Sequence, residues 1–313
     1  LSKNFDYLAA NYCFSKNIVQ IISFFVSLLT FLEAPPTNQY ILDMRKLRIL
    51  YVASEINPFL QVSEVADFLR KLPQAMQEKG MEIRILVPRF GSINERKNRL
   101  HEVVRLSGIN ITVGEDEKPL IIKVASIPTA KLQVYFLDNE DYFNRKYVFL
   151  DKEGSFYDDN DERTIFFCKG VLETVKKLGW APDIVHCTDW MTALIPLYLK
   201  TTYKNDPVFK DTKSVFTVYN NTFDHKFDEG IIEKAKSMDV SDENLANLRS
   251  ADFEGFIKIG CQYADAIVRA NEESNEKLSK LLNEIAANTI EASIEDDNVT
   301  ETYFNLYTEL VPE

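Results

Sequence analysis

The first apolar run in the ordered pattern is Leu47–Val52 (LRILYV), broken only by Arg48. A short, nearly continuous run of this kind predicts a strand buried on both faces. A loop containing Pro58 follows, then a helix start at Ser63-Glu64 and a helix over about 63–79, ended by Gly80. The next strand is expected at Glu82–Val87 with Pro88 after it. Leu100–Val113 and Leu120–Ser126 are β-rich, with Gly108-Ile109-Asn110 read as a turn, and Gln133–Leu137 is another strand. A polar, aromatic loop is expected over Asp138–Asp161. Helices at about 162–178 and 190–203 flank a strand at Asp183–His186. Val215–Tyr219 and Ala266–Arg269 are further strands, with a helix near 253–263 between them. Two helices, at about 272–287 and 298–310, finish the chain. Strands alternating with helices of 10–17 residues predict an α/β, Rossmann-like, doubly wound and mostly parallel sheet.

Composition narrows the functional classes. With 313 residues, 45% hydrophobic and 27% charged, the chain is of ordinary globular make-up. A net charge of −12 provides no cation excess to neutralise phosphates, so nucleic acid is not expected as a partner. Cys13, Cys168, Cys187 and Cys261 form no C-x-x-C pair and read as buried thiols in a reducing cytoplasm, the expected location. His101, His186 and His225 give no metal-binding spacing, and no metal or cofactor is expected. The glycines form neither G-x-G-x-x-G nor a P-loop, and no G-x-S-x-G elbow is present.

Residues 1–43 differ from the rest. Ile18–Leu32 is an uncharged run of 15 residues, short of the roughly 20 that a membrane-spanning helix needs. It reads as a signal or anchor segment, or as sequence upstream of a true start at Met44. A membrane partner is expected only if 18–32 is retained. Residues 44–271 read as one domain, and 272–313 as an acidic helical tail packed on it through Leu278, Leu281, Leu282 and Ile285, with a self-association surface as the alternative use of that stripe.

Several collinear segments resemble the N-terminal domain of bacterial glycogen synthases and plant starch synthases. They are Leu47–Glu55 (LRILYVASE), Leu72-Pro73, Gly80, Arg84–Pro88, Leu137–Arg145, Tyr157–Phe167 (YDDNDERTIFF), His186–Trp190 (HCTDW), Phe216–Asn220 (FTVYN) and Tyr263–Asp265. The resemblance covers about 47–270 and implies the N-terminal half of a GT-B glycosyltransferase. That family transfers glucose from ADP-glucose to an α-1,4-glucan with retention.

The departures bear on activity. Where the family reads K-T-G-G-L, meeting the donor's phosphates, this chain has Gln61-Val62-Ser63-Glu64-Val65. The cation is gone, and Ser63 as N-cap with Glu64 in the first turn lets the helix end satisfy itself, the charge–dipole part worth about 0.3–1 kcal/mol. The family's second histidine of H-x-H-D-W is Thr188, with Asp189 next to it, and the histidine of F-T-I-H-N is Tyr219, with Asn220 after it. The family's second domain, which carries most donor contacts, has no counterpart before Glu313.

Retained positions could still meet sugar. The resemblance points to Asp159, Asn160 and Arg163, while Tyr142, Phe143, Tyr147, Phe149, Phe156 and Tyr157 share one polar loop region. Rings beside carboxylates stack and hydrogen-bond carbohydrate, and they also serve as satellite core under a long loop. His186 is expected to end a buried strand rather than to act as acid or base. No catalytic residue is assigned. The expected function is that of a non-catalytic synthase homologue that binds α-glucan, or serves as scaffold or regulator in glycogen metabolism. The alternative is a half-enzyme completed by a separate C-terminal synthase domain.

Overall fold

The fold is described from a computed structural model, which covers residues 45–127, 130–271, 276–285 and 289–312. Among the described residues ten strands run, in chain order, β1 Arg48–Val52, β2 Glu82–Pro88, β3 His101–Glu102, β4 Ile109–Val113, β5 Asp116–Ile127, β6 Leu132–Asp138, β7 Ile184–Thr188, β8 Lys213–Val218, β9 Ala266–Arg269 and β10 Thr289–Glu291. Their lateral order is β10-β9-β8-β7-β1-β2-β6-β5-β3, with β4 paired to β5. Every pairing from β10 across to β6 is parallel, and those of β5 with β6, β3 and β4 are antiparallel. The doubly wound, mostly parallel α/β sheet is therefore present, and β1 lies at its centre.

The helices are α1 Val65–Glu78, α2 Glu95–Asn98, α3 Glu140–Phe143, α4 Asn160–Leu178, α5 Leu194–Lys200, α6 Ile231–Ala235, α7 Phe253–Tyr263, α8 Glu276–Ile285 and α9 Val299–Leu310. Residues 49–52 of β1 are wholly buried, as a strand covered on both faces requires. Helix α1 buries Val65, Phe68, Leu69, Leu72 and Met76, one apolar stripe at helical spacing. Gly260 of α7 faces Phe216 of β8 so closely that a Cβ there would meet the ring at 2.6 Å. In α8, Leu278, Leu281 and Leu282 are buried, and in α9 so are Val299, Tyr303, Leu306 and Tyr307.

Several local expectations need correction. Of the turn expected at Gly108-Ile109-Asn110, Gly108 has φ +78° just ahead of β4 while Ile109 and Asn110 lie inside that strand, and the turn from β4 to β5 is at Gly114, whose φ of +59° suits a residue without a Cβ. The helix expected over 190–203 begins as a 3-10 turn at Trp190–Thr192 and ends as α-helix at Lys200. The loop 138–161 contains α3, capped by Asn139, whose Oδ1 accepts the Asp141 and Tyr142 N–H groups. Strand β10 interrupts the helical tail. Its three residues pair with β9 and carry too little pattern to be seen locally.

Among the described residues no helix is long and apolar enough to cross a membrane. The run Ile18–Leu32, Cys13 and the proposed start at Met44 lie outside the described residues.

Candidate functional site

The chain leaves β1 towards β2 on one side and returns as β7 on the other, so the strand order reverses between β1 and β7. In open α/β sheets ligands bind beyond the C-terminal ends of the strands at such a point. A cavity of about 590 Å³ lies there. Ser54 and Glu55 after β1, Asp189 and Trp190 after β7, and residues 221–225 after β8 form it, together with Val62, Ser63 and the segment 149–156.

One wall is aromatic. Phe156 stacks on Phe223 with ring centres 4.7 Å apart, and Trp190 packs edge-on to Phe223 at 5.0 Å and tilted against Phe149 at 5.1 Å. His225 lies 5.2 Å from Phe156 and 3.7 Å from Asp158 through Nε2 and Oδ1. The segment carrying Phe149 and Phe156 is closed by Asp151, whose Oδ1 accepts the N–H groups of Glu153 and Ser155 at 2.9 and 2.8 Å. Leu150 bridges to Phe156 across it.

The other wall is acidic and polar. Glu55, 3% exposed, accepts the Val62 N–H at 2.5 Å, the Ser63 N–H at 2.9 Å and the Ser63 hydroxyl at 2.6 Å. Asp189 is 4% exposed and has φ 64° and ψ −179°, a backbone region that essentially only glycine occupies without strain. It is held there because its N–H donates to the Thr217 carbonyl at 2.9 Å and its Oδ1 accepts the Trp190 N–H at 2.9 Å. Burial pushes the Asp189 carboxyl up to about 8, against hydrogen bonds from Trp190 and Asn221, and the Glu55 charge adds to the rise. Asp189 therefore holds a proton more tightly than an ordinary carboxyl does, with Glu55 close by on the same lining. Asp224 is a third acid on the lining, and no lysine or arginine is among the described residues there.

Of the residues expected from sequence, the structure brings Ser63, Phe149, Phe156 and Asp189 to this cavity. Gln61 stands outside it and donates to Asp67 Oδ2 at 3.1 Å. Glu64 begins α1 without capping it through its side chain, and borders a second, smaller cavity of about 430 Å³ with Asp67 and Lys71. The capping role expected of Ser63 is shared: its Oγ accepts the Val65 N–H at 3.2 Å while giving its proton to Glu55.

The aromatic loop divides. Tyr142 and Phe143 are core, with the Tyr142 hydroxyl donating to Glu162 at 3.0 Å, and so they do not line the cavity. Asp159 is bound by Arg145 at 2.7 Å, and Asn160 donates to the Phe149 carbonyl at 2.9 Å. Arg163 is fully buried against Phe90, Phe143 and Tyr157, its ring distances 5.3–5.6 Å, and burial brings its guanidinium down to about 10. These three hold the cavity's far rim in place from behind.

His186 lies in the middle of β7 with no exposure. Nδ1 is 2.6 Å from the Tyr307 hydroxyl and Nε2 is 2.7 Å from Thr217 Oγ1, and burial lowers the ring to about 3. It is neutral and walled off. Thr188 and Tyr219 are also buried, and Asn220 is turned to Asn271, whose Oδ1 accepts its N–H at 3.0 Å. Cys168, Cys187 and Cys261 are buried free thiols, the first and last pushed up to about 12 by burial.

Sequence reasoning missed Glu55, Trp190 and residues 221–225 as lining residues. One signal was available: each directly follows a parallel strand, and the residues just past the C-terminal ends of such strands face the crevice.

Comparisons place this geometry. The family model for the starch synthase catalytic domain matches residues 48–281. The chain is 42% identical over 226 residues to a glycogen synthase of Chlorobium limicola, covering 71% of this chain and 45% of that protein. It is 48% identical over 177 residues to a glycogen synthase of Chlorobium phaeobacteroides, covering 56% and 36%. Among solved structures, the catalytic domain of starch synthase IV from Arabidopsis thaliana, bound to ADP and acarbose, superposes with a TM-score of 0.65 at 17% identity, over 81% of this chain and 52% of that one. The chain spans about half the length of the relatives it matches.

Proposed function

The chain belongs to the starch synthase catalytic domain family, and from that premise we propose that it binds an α-glucan in the cavity between β1 and β7 without transferring glucose. The observation that carries this reading is the lining itself: stacked rings on one side, three acids on the other, and no cation among the described lining residues. Pyranose rings present apolar C–H faces, which Phe156 and Phe223 suit, and hydroxyls, which the Glu55 and Asp189 carboxyl groups can meet as hydrogen-bond partners. Glucosyl transfer from a sugar nucleotide needs the departing diphosphate neutralised as its charge develops. A lining rich in carboxylate does the opposite. Asp159, Asn160 and Arg163 support the ring wall rather than touch sugar in this reading, and Gln61, Glu64, His186, Thr188 and Tyr219 are spectators.

The test is a calorimetric titration with maltotetraose, alongside a transfer assay with ADP-glucose and glycogen. Binding is expected, and Phe223→Ala should weaken it by about tenfold, since a stacked ring contributes roughly 1–1.5 kcal/mol. Glucose incorporation above the no-protein control would overturn the non-catalytic part. Absence of maltotetraose binding would overturn the rest.

A further inference from the structure

We infer that copies of this chain associate head to tail, the cationic sheet edge at β3 of one copy docking on the acidic segment between β10 and α9 of the next. The inference stands apart from the glucan reading, since neither surface lines the cavity between β1 and β7.

The chain separates its charge. Residues 272–313 carry eleven carboxylates and two lysines, whereas residues 96–105 carry Arg96, Lys97, Arg99 and Arg105 against the single acid Glu102. Helix α2 and the ends of β3 set these four cations around the outermost strand, which pairs with β5 through His101 and Glu102. Among the described residues β3 has no strand on its other side. All four cations are exposed, and none of them is in an ion pair among the described residues. Glu95 is not free to neutralise them, because Arg89 and Lys123 hold it at 3.2 and 2.7 Å. Val104, 78% exposed, adds an apolar group to the same edge.

Charge on an open edge restricts what can meet it. Four like charges oppose the β3 edge of a second copy, so two copies do not pair edge to edge there. They favour an anionic surface, and the chain carries one. The second cavity, of about 430 Å³, has Phe68 and Leu72 of α1 and Val299 of α9 as its apolar floor, with Glu295, Asp296 and Asp297 on its rim. These three acids are exposed and unpaired among the described residues, and Lys71 is the one cation on the described lining. The rim is held in shape: Asp296 Oδ1 accepts the Asn298 N–H at 2.8 Å, and the Glu295 N–H donates to Ser293 Oγ at 3.2 Å. Arginine and lysine lay their methylene stems on apolar surface and keep their charge at its border. Arg96 and Lys97 of a second copy therefore suit both the floor and the rim.

Within one chain the two surfaces stay apart, because the acidic segment follows β10 at one edge of the sheet and β3 forms the other. The alternative apolar stripe is used up internally, with Leu278, Leu281 and Leu282 buried. A contact between two different surfaces leaves each copy with one of each still free, so it is heterologous and extends.

The experiment is sedimentation equilibrium of the full chain across a range of protein concentrations, at about 20 mM and at about 1 M salt, where the screening length falls to roughly 3 Å. The weight-average mass is expected to rise with concentration in low salt and to return to that of one chain in high salt. A uniformly acidic body, or one associating through apolar surface, gives the opposite salt dependence, and either that or a monomer at both salts overturns the inference. Two triple variants locate the contact, with circular dichroism as the check on folding: Arg96→Gln, Lys97→Gln, Arg99→Gln, and Glu295→Gln, Asp296→Asn, Asp297→Asn. Each alone is expected to stay monomeric in low salt, and an equimolar mixture to form a 1:1 dimer that grows no further, since only one intact pair of surfaces remains. Self-association of either folded variant at the parent's level, or a mixture that stays monomeric, overturns the assignment of these surfaces. Should a variant fail to fold, the salt dependence of the parent decides alone.

Discussion

Replacing Tyr307 with Phe removes one oxygen from a fully buried cluster and should destabilise the fold while leaving the cavity untouched. Tyr307 is on α9, and its hydroxyl lies 2.6 Å from His186 Nδ1, while Thr217 Oγ1 lies 2.7 Å from Nε2 and 3.2 Å from the Tyr303 hydroxyl. A neutral imidazole donates through one nitrogen and accepts through the other, so both partners are used. Phe fills the same volume, and the loss falls on the His186 ring nitrogen and on the buried Tyr51 hydroxyl, both of which face the Tyr307 oxygen away from water. Such a group costs about 1–3 kcal/mol. For a domain of this size each kcal/mol moves Tm by about 2–4 °C, so a fall of roughly 2–12 °C is expected. Thr217→Val should behave alike, and the double variant should show a coupling of about 0.5–3 kcal/mol because both groups hold one ring. Urea denaturation of the four proteins measures these values directly. A Tyr307→Phe change below about 0.5 kcal/mol, within the range of an ordinary surface substitution, would refute the reasoning. So would a weakened maltotetraose affinity in a stably folded variant, which would return His186 to the ligand site.

Asp189→Asn should flatten the dependence of stability on pH. The folded carboxyl, at about 8, binds its proton more tightly than the unfolded one at 3.8, so its stabilisation is complete below about pH 4 and is lost as pH rises towards 8. Denaturation midpoints at pH 5 and pH 8.5 should therefore differ less in the variant, and an unchanged slope would count against a protonated Asp189. Gly260→Ala raises helix propensity by about 1 kcal/mol but places a methyl 2.6 Å from the buried Phe216 ring, so net destabilisation of about 1–2 kcal/mol is expected by chemical denaturation. A more stable variant would show that α7 can move off the sheet. Asp138→Asn should cost about 2–3 kcal/mol, because Asp138 is 4% exposed and faces Arg89 at 3.0 Å and Lys123 at 2.9 Å, with Glu95 still there to pair both cations. A loss under about 0.5 kcal/mol would place that network in solvent.

Much of the fold was legible in local pattern. The strand Leu47–Val52 and the helix near 253–263 emerged nearly at their observed bounds, because each is a single run or stripe with a clear stop. Strand β10, with three residues and one neighbour, had no such pattern, and the 3-10 turn at Trp190 depends on the cap made by Asp189. The site was less legible. Tyr142 and Phe143 sit in the same aromatic stretch as Phe149 and Phe156, and nothing in their types tells core from cavity wall. Burial on either side of the Asp151 turn sorted them.

By itself the sequence determined the alternation of strands and helices and the family. These are properties of neighbouring residues, and short-range periodicity and residue type express them directly. The tertiary structure alone decided that the Glu55 carboxyl group accepts from the amides of Val62 and Ser63, that Asp189 is held strained and buried, which raises its carboxyl, and that Phe156 meets Phe223 at the cavity. Each of these depends on which strand ends the parallel sheet brings side by side, and on the water that packing excludes from the crevice.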